Sequence, residues 1–295
     1  MVDLNKIKHG KSVSELLEFC IINIDKPQKP TSFSVSDLVR KMLKELGVRK
    51  TSHFGTLDPK VTGVLPIAIN RACKLTGFFI GEDKEYVGVM RVHEDLSIKE
   101  IQEKIDKKFL GKIKQTPPVK SRVKRQERER EIKSFKLIEK EGKDFLFHAE
   151  VQGGTYIRKL IDDLGKDLGV GAHMLELRRV RAGIFKEDDK IFPSVNLYDF
   201  EKAVEEAKKG NEELLREIVI PGEIVSQVYP LVFVKNEIVE KLLTGKVILK
   251  EYLKNEKEKF EKDSIVCVFN ENKFIEMAKV MDEKYVFAKP LFVLN

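Results

Sequence analysis

The sequence has little of what secreted and membrane proteins require. Its three cysteines are widely spaced and form neither a disulfide framework nor a cluster of metal ligands. The longest apolar runs, such as residues 77–80 and 264–269, are far shorter than the ~20 residues of a membrane span. Residues 1–11 lack the apolar core of a signal peptide. We therefore expect a cytoplasmic protein that does not enter a membrane.

The composition indicates a folded chain with one strongly basic segment. Hydrophobic residues make up 42% of the 295 residues, which excludes global disorder and favours two domains. The net charge is +7, from 55 basic and 48 acidic residues. Residues 104–125 contain nine basic residues and one acid, so the rest of the chain is close to neutral. A local cationic segment favours a polyanionic partner, with nucleic acid first and a membrane surface second.

Predicted strands and helices alternate without a strict βαβ rhythm, which favours an α+β fold. The strands are predicted over residues 21–24, 64–69, 86–92 and 145–151, and the helices over residues 34–46, 71–79, 97–109, 156–168 and 197–217. After residue 229 the pattern changes to short, closely spaced strands with one helix near residues 236–243, typical of a small β-barrel-like domain. We expect domains over residues 1–228 and 229–295.

A window of chemically versatile residues lies within residues 48–63, a segment predicted to be a long ordered loop. Gly55 and Gly63 permit tight backbone conformations, and Pro59 fixes the chain after Asp58. A carboxylate on such a rigid loop is a candidate nucleophile or base. Aspartates that only close a turn are far more common, so composition alone favours that simpler role.

The string Ser52-His53-Phe54-Gly55-Thr56-Leu57-Asp58-Pro59-Lys60-Val61-Thr62-Gly63 resembles the signature loop of TruB/dyskerin-type pseudouridine synthases, which isomerise specific uridines in RNA. The resemblance implies that Asp58 is the catalytic aspartate. Asp25-Lys26-Pro27 with Pro30-Thr31-Ser32 resembles the family's first motif, which supports the catalytic loop, and we count Lys26 among the expected RNA contacts. Phe33 stands where many relatives have histidine.

Later motifs of the family supply the remaining candidate site residues. Tyr86 matches the tyrosine that stacks on the target base, although a core role for a tyrosine at a strand end is also credible. Gly154-Thr155-Tyr156-Ile157-Arg158 and Leu177-Arg178-Arg179 resemble the later motifs. There Arg158 corresponds to the arginine that pairs with the aspartate, and Leu177 to an apolar wall of the uracil pocket. His53 is a candidate contact for the flipped nucleotide, or else a structural histidine of the loop.

These roles fit the chemistry that the resemblance implies. The reaction detaches uracil from ribose, rotates it and rejoins it through carbon, so no redox cofactor or metal is expected. Asp58 is useful only when ionised, and an adjacent Arg158 favours that form. A base within folded RNA must be flipped out and held against an aromatic face, which suits Tyr86.

The basic segment contains a second motif. Gln115-Thr116-Pro117-Pro118 resembles the family's Gln-x-Pro-Pro loop, which grips RNA. The proline pair makes this loop extended and stiff. Four cations that follow are expected to contact phosphates without distinguishing sequence: Lys120, Arg122, Lys124 and Arg125. Residues 126–131 alternate in charge and are better explained as a solvated run.

The resemblance covers about residues 20–185 and implies a mixed central sheet in a catalytic domain, followed by a PUA RNA-binding domain on which residues 1–20 pack. Residues 250–263 depart from the family pattern, so contacts cannot be transferred to them. We expect an RNA pseudouridine synthase acting on rRNA or tRNA, directed by box H/ACA guide RNA and assisted by small accessory proteins. The alternatives are a stand-alone synthase of the tRNA T-arm and a non-catalytic RNA scaffold or chaperone.

Overall fold

A mixed sheet forms the larger part of the molecule. The computed structural model describes residues 2–117, 126–255 and 259–295. The strands of this sheet are β1 (Phe19–Lys26), β2 (Thr51–His53), β3 (Thr62–Asn70), β4 (Lys84–Val92), β5 (Gly111–Gln115), β6 (Arg128–Glu141), β7 (Asp144–Val151), β8 (Ala172–Ala182), β9 (Phe185–Lys186), β10 (Val195–Asn196) and β11 (Val219–Pro221). Their main order is β10-β1-β3-β8-β4-β7-β6-β5, with parallel and antiparallel neighbours. The predicted α+β class is confirmed.

Mostly short helices connect the strands. They are α1 (Leu4–Gly10), α2 (Val13–Glu18), α3 (Ser32–Met42), α4 (Thr76–Phe79), α5 (Ile98–Lys108), α6 (Ile157–Leu168), α7 (Leu197–Lys208), α8 (Glu213–Ile218) and α9 (Val239–Leu243). The inward faces of α5 and α6 bury Ile105 and Leu160 in one hydrophobic core with Phe147 of β7. Within the described residues no helix is long and apolar enough to cross a membrane.

The helix α3 begins and ends earlier than predicted. Its N-cap is Thr31, whose hydroxyl accepts from the Ser34 amide, so the helix starts before the predicted residue 34. It ends at Met42, and a 3₁₀ turn over Lys44–Leu46 follows before Gly47 adopts a left-handed conformation. The earlier start brings Ser32 into the first turn, which matters for the catalytic loop.

A second sheet follows, with the strands β12 (Leu231–Phe233), β13 (Ile248–Leu249), β14 (Ile265–Asn270), β15 (Lys273–Val280) and β16 (Val286–Val293). Their order is β12-β14-β15-β16-β13. The N-terminal segment contacts this sheet, since the Asp3 amide donates to Asn272 Oδ1 at 3.0 Å. Phe19 of β1 stacks on Phe274 with ring centroids 5.2 Å apart. Apolar packing therefore joins the two sheets.

Two segments of the first sheet pair as strands that the sequence did not predict. The predicted loop over residues 48–63 contains the strand β2, because Thr51, Ser52 and His53 pair with β3. Residues 126–131 are solvated as predicted, since all of them are exposed or half-exposed, but from Arg128 onward they belong to the long strand β6. Strands at or near a sheet edge tolerate outward charges, so alternating charge did not exclude pairing.

Candidate active site

The loop between β2 and β3 carries Asp58 and is held at both ends. At its start the Phe54 amide donates to the Pro66 carbonyl at 2.9 Å, and the Phe54 ring stacks on Phe79. At its end Gly63 has φ +98° and lies against the backbone of β8, where a Cβ atom would be 2.2 Å from the Arg179 carbonyl oxygen. Only glycine fits such a close approach in that conformation.

The first motif braces the middle of the loop. Ser32 Oγ donates to the Leu57 carbonyl at 2.9 Å and accepts from the Leu57 amide at 2.7 Å. The Lys29 amide donates to the Pro59 carbonyl at 2.9 Å. These bonds fix the residues on both sides of Asp58, so the expected support of the loop by this motif has a physical basis.

Lys26 lies beneath the loop rather than on the RNA side of it. It is fully buried, and its ammonium donates to the Pro27 carbonyl at 2.7 Å and lies 3.4 Å from that of Pro59. Burial lowers its pKa, and the charge of Asp58 opposes this. A buried ammonium cannot contact a phosphate in solvent, so the assignment of Lys26 to RNA binding is corrected to support of the loop.

Asp58 and Arg158 form an ion pair in which Arg158 Nη2 donates to Asp58 Oδ2. Both side chains are about half exposed, at 53% for Asp58 and 54% for Arg158. Arg158 lies in the first turn of α6, and Gln115 holds the start of that helix. Gln115 accepts from the Tyr156 amide at 3.0 Å and donates to the Tyr156 carbonyl at 3.2 Å. The buried first residue of the Gln-x-Pro-Pro motif thus positions the arginine.

Tyr86 and Leu177 lie on adjacent strands. Tyr86 on β4 is opposite Arg179 on β8, and Leu177 is opposite Gly88. A Cβ atom on Gly88 would be 2.9 Å from Leu177 Cδ1, so the glycine makes room for the leucine. Both side chains are largely buried, with 8% exposure for Tyr86 and 7% for Leu177. Tyr86 and Leu177 can therefore line a pocket only with the small part of each side chain that reaches the surface.

Arg179 is a central residue to which the sequence assigned no role. It is fully buried and donates to the Val64 carbonyl at 2.8 Å and to the Gly55 carbonyl at 3.0 Å. Burial lowers its pKa, and electrostatic attraction to Tyr86 opposes this shift. Because Leu177 and Arg179 are two apart on one strand, they share a face. Recognition of β8 as a strand would have pointed to Arg179.

His53 contacts the loop itself. Its Nε2 lies 3.0 Å from Thr56 Oγ1, and burial together with nearby Arg179 lowers its pKa. The imidazole is therefore neutral at physiological pH and stiffens the loop between β2 and Asp58. This bond agrees with a structural role for His53 in the loop. Because the imidazole ring is only half-buried, a contact between His53 and RNA stays a prediction.

The basic segment is partly neutralised by its own neighbours. Lys104 and Lys108 both pair with Asp167 of α6. Two more lysines of this segment pair with acids at or just before the start of β6: Lys112 with Glu129 and Lys114 with Glu127. The cations Lys120, Arg122, Lys124 and Arg125 lie outside the described residues. The net positive charge around α5 and β5 is therefore smaller than the count of basic residues in the segment indicated.

The described part of the chain contains no group of three or more histidine, cysteine or acidic side chains placed to hold a metal. What the site does present is a rigid loop, an aspartate paired with an arginine, and a tyrosine above a buried guanidinium. An aspartate paired with an arginine on a rigid loop, with a tyrosine on the same sheet, is the arrangement that the resemblance to pseudouridine synthases implied.

Two family models match this chain. The "TruB family pseudouridylate synthase (N terminal domain)" model matches residues 40–157, and the "tRNA pseudouridylate synthase B C-terminal domain" model matches residues 158–226. A probable tRNA pseudouridine synthase B of Archaeoglobus fulgidus is 39% identical over 281 residues, which cover 94% of this chain and 84% of the relative. The chain therefore belongs to the TruB family of pseudouridylate synthases, and the resemblance found in the sequence is confirmed.

Other similar proteins are archaeal or belong to ribonucleoprotein structures. A probable tRNA pseudouridine synthase B of Nanoarchaeum equitans is 46% identical, over 73% of this chain and 60% of the relative. A chain of a Cbf5-Nop10-Gar1 complex superimposes with a TM-score of 0.88 at 32% identity, over 97% of this chain and 88% of that one. A chain of an H/ACA RNP bound to a substrate RNA containing 2'-deoxyuridine superimposes with a TM-score of 0.86 at 30% identity. The match covers 98% of this chain and 89% of that one. The likeness includes the second sheet.

Proposed function

We propose that this protein isomerises uridine in RNA to pseudouridine with Asp58 as the nucleophile. The observation that carries the proposal is the ion pair between Asp58 and Arg158 on a loop whose backbone is fixed on both sides. In the reaction the C1′–N1 bond breaks and a C1′–C5 bond forms, while C5 loses a proton and N1 gains one. The product is an isomer, so Asp58 is released unchanged whether it attacks the ring or the sugar.

The remaining residues are assigned by position. Tyr86 is proposed to stack on the flipped uracil and to act on a proton near the sugar, with Leu177 as an apolar wall. Arg158 pairs with the carboxylate and orients it. Residues 1–228 are proposed as the catalytic domain and residues 229–295 as an RNA-binding PUA domain, a division supported by the separate second sheet.

We further propose that the chain is the catalytic subunit of a box H/ACA particle. The likeness to chains of H/ACA assemblies extends over nearly the whole length, including the second sheet, and supports this choice. Guide RNA would then select the uridine, and small proteins of the Nop10 and Gar1 kind would complete the particle. A stand-alone tRNA synthase is the second candidate, favoured by the names of the relatives in Archaeoglobus and Nanoarchaeum.

Tritium release from RNA labelled at uridine C5 tests both levels. Wild-type protein should release tritium, and Asp58→Asn should not, although it should bind the RNA nearly as well. Release from tRNA alone favours the stand-alone synthase, whereas release that requires a guide RNA favours the H/ACA particle. If the wild type binds RNA but releases no tritium, whether or not guide RNA and accessory proteins are present, that result would contradict the proposed chemistry and favour a scaffold or chaperone function.

A further inference from the structure

An aromatic ring lies in solvent beside the catalytic loop. Phe33, at the second position of α3, is 73% exposed. Single exposed apolar residues are common and by themselves need no explanation. A phenylalanine left in water nevertheless forgoes about 1.5–3 kcal/mol of burial. What distinguishes Phe33 is its position next to the residue that fixes the loop.

Phe33 adjoins the flank of α3 that faces the loop. Ser32 bonds both backbone groups of Leu57, and Ser36 donates to Thr51 at 3.1 Å. These two serines mark the flank of α3 that faces the loop and β2. With 3.6 residues per turn, Phe33 lies about 60° from Ser36 and about 100° from Ser32 around the axis, and about 160° from Val35 on the core side.

Cations accompany the ring. Lys60 follows Asp58 within the loop, and Lys29 lies beside the loop because its amide donates to the Pro59 carbonyl; both lysines are exposed. Neither forms an ion pair with any residue that the structure describes. Exposed aromatic rings interleaved with cations are the usual arrangement for single-stranded nucleic acid, in which bases stack and phosphates are neutralised. A flat ring of this kind accepts any base, because every base has a π-face.

We propose that Phe33 is a stacking platform for a base of single-stranded RNA that borders the target uridine. The inference rests on the proposed function, because it takes the RNA to be the one that carries the substrate. A base next to a flipped uridine loses its stacking neighbour. The ring of Phe33 then replaces that neighbour at the rim of the site while Asp58 and Arg158 act on the uridine.

Binding can be measured without turnover in the Asp58→Asn background. The probes are two short single-stranded RNAs with one uridine, carrying fluorescent 2-aminopurine on its 5′ or its 3′ side. Stacking on Phe33 should quench one of them. Phe33→Ala and Phe33→Leu should abolish the quenching and weaken binding by about five- to 150-fold, whereas Phe33→Tyr should keep both. Leu38→Ala, an exposed apolar truncation on the other flank of α3, should change neither.

Three results would overturn the platform. Quenching and affinity unchanged in Phe33→Ala would leave the ring without a role in RNA binding. If Phe33→Leu kept the full affinity and quenching, the side chain would make an apolar contact with the RNA and not a stacking contact. Loss of affinity confined to mixtures with accessory proteins would make Phe33 a protein contact. Failure of the proposed function is separate, because it appears as absent tritium release by the wild type while the quenching persists.

Discussion

Ser32 Oγ bonds both the amide and the carbonyl of Leu57, at 2.7 Å and 2.9 Å. A single buried hydroxyl thus satisfies the two backbone groups of the residue that precedes Asp58. The hydroxyl is placed there because α3 begins at Ser32, one helical turn before Ser36 bonds Thr51. The start of one helix therefore sets the conformation of the catalytic loop.

Replacing Ser32 with alanine should slow catalysis and leave RNA affinity intact. The change strands a buried amide and a buried carbonyl, which costs about 1–3 kcal/mol for each unsatisfied group. The loop will shift to find water, and Asp58 will shift with it. We expect kcat for tritium release to fall with little change in the dissociation constant for RNA. Ser34→Ala, at an exposed position on the same turn, is the control, and equal rates for both variants would contradict the role of Ser32.

Replacing Arg158 should separate activity from stability. The ion pair with Asp58 is about half exposed, and such pairs contribute about 0–1 kcal/mol to folding. Arg158→Lys and Arg158→Ala should therefore unfold close to the wild-type temperature. Turnover should fall strongly in both, since a lysine lacks the planar fork that orients a carboxylate. A thermal melt combined with single-turnover kinetics checks this, and wild-type rates in Arg158→Lys would refute an orienting role.

The sequence identified the pair of Asp58 and Arg158 through motifs but did not identify what lies beneath them. Arg179 reaches the loop because the parallel pairing of β3 and β8 places it opposite Gly63. No periodicity within either strand determines that register, which depends on tertiary packing. The burial of Lys26 is likewise invisible in its motif, because a lysine is ordinarily exposed. Local sequence patterns predicted the helices and strands. The roles of Lys26 and Arg179 depend on contacts between segments that are distant in the sequence.

Neutralising the four cations that follow the Gln-x-Pro-Pro motif should weaken RNA binding and flatten its salt dependence. Replacing Lys120, Arg122, Lys124 and Arg125 with glutamine removes up to four phosphate contacts. Each lost contact lowers the slope of log K against log salt by about 0.7 for single-stranded RNA.

The matched control is the pair of changes Lys112→Gln and Lys114→Gln. Both lysines already have glutamate partners, Glu129 and Glu127, so their replacement should change affinity less. Titrations of one RNA at several salt concentrations measure both slopes. Equal slopes for the fourfold variant and the wild type would show that the RNA binds elsewhere.

The second sheet contains a carboxyl group in an unusual environment. Glu276 of β15 is fully buried, and neither of its side-chain oxygens has a hydrogen-bond partner among the described residues. Burial raises the pKa of Glu276 to about 8 from its ordinary value of 4.5. The folded protein therefore keeps this proton at neutral pH, whereas the unfolded chain releases it.

This difference predicts how stability depends on pH. Between about pH 4.5 and pH 8 the unfolded state binds fewer protons at Glu276 than the folded state. The contribution of Glu276 to the free energy of unfolding must then fall by up to ~1.4 kcal/mol per pH unit, and level off above about pH 8. Glu276→Gln keeps the shape without the ionisation. We expect it to be more stable than the wild type by an amount that grows with pH, as measured by urea unfolding followed by circular dichroism. The exposed Glu240→Gln should show no such trend, and a difference that is constant with pH would mean that Glu276 is already ionised in the folded protein.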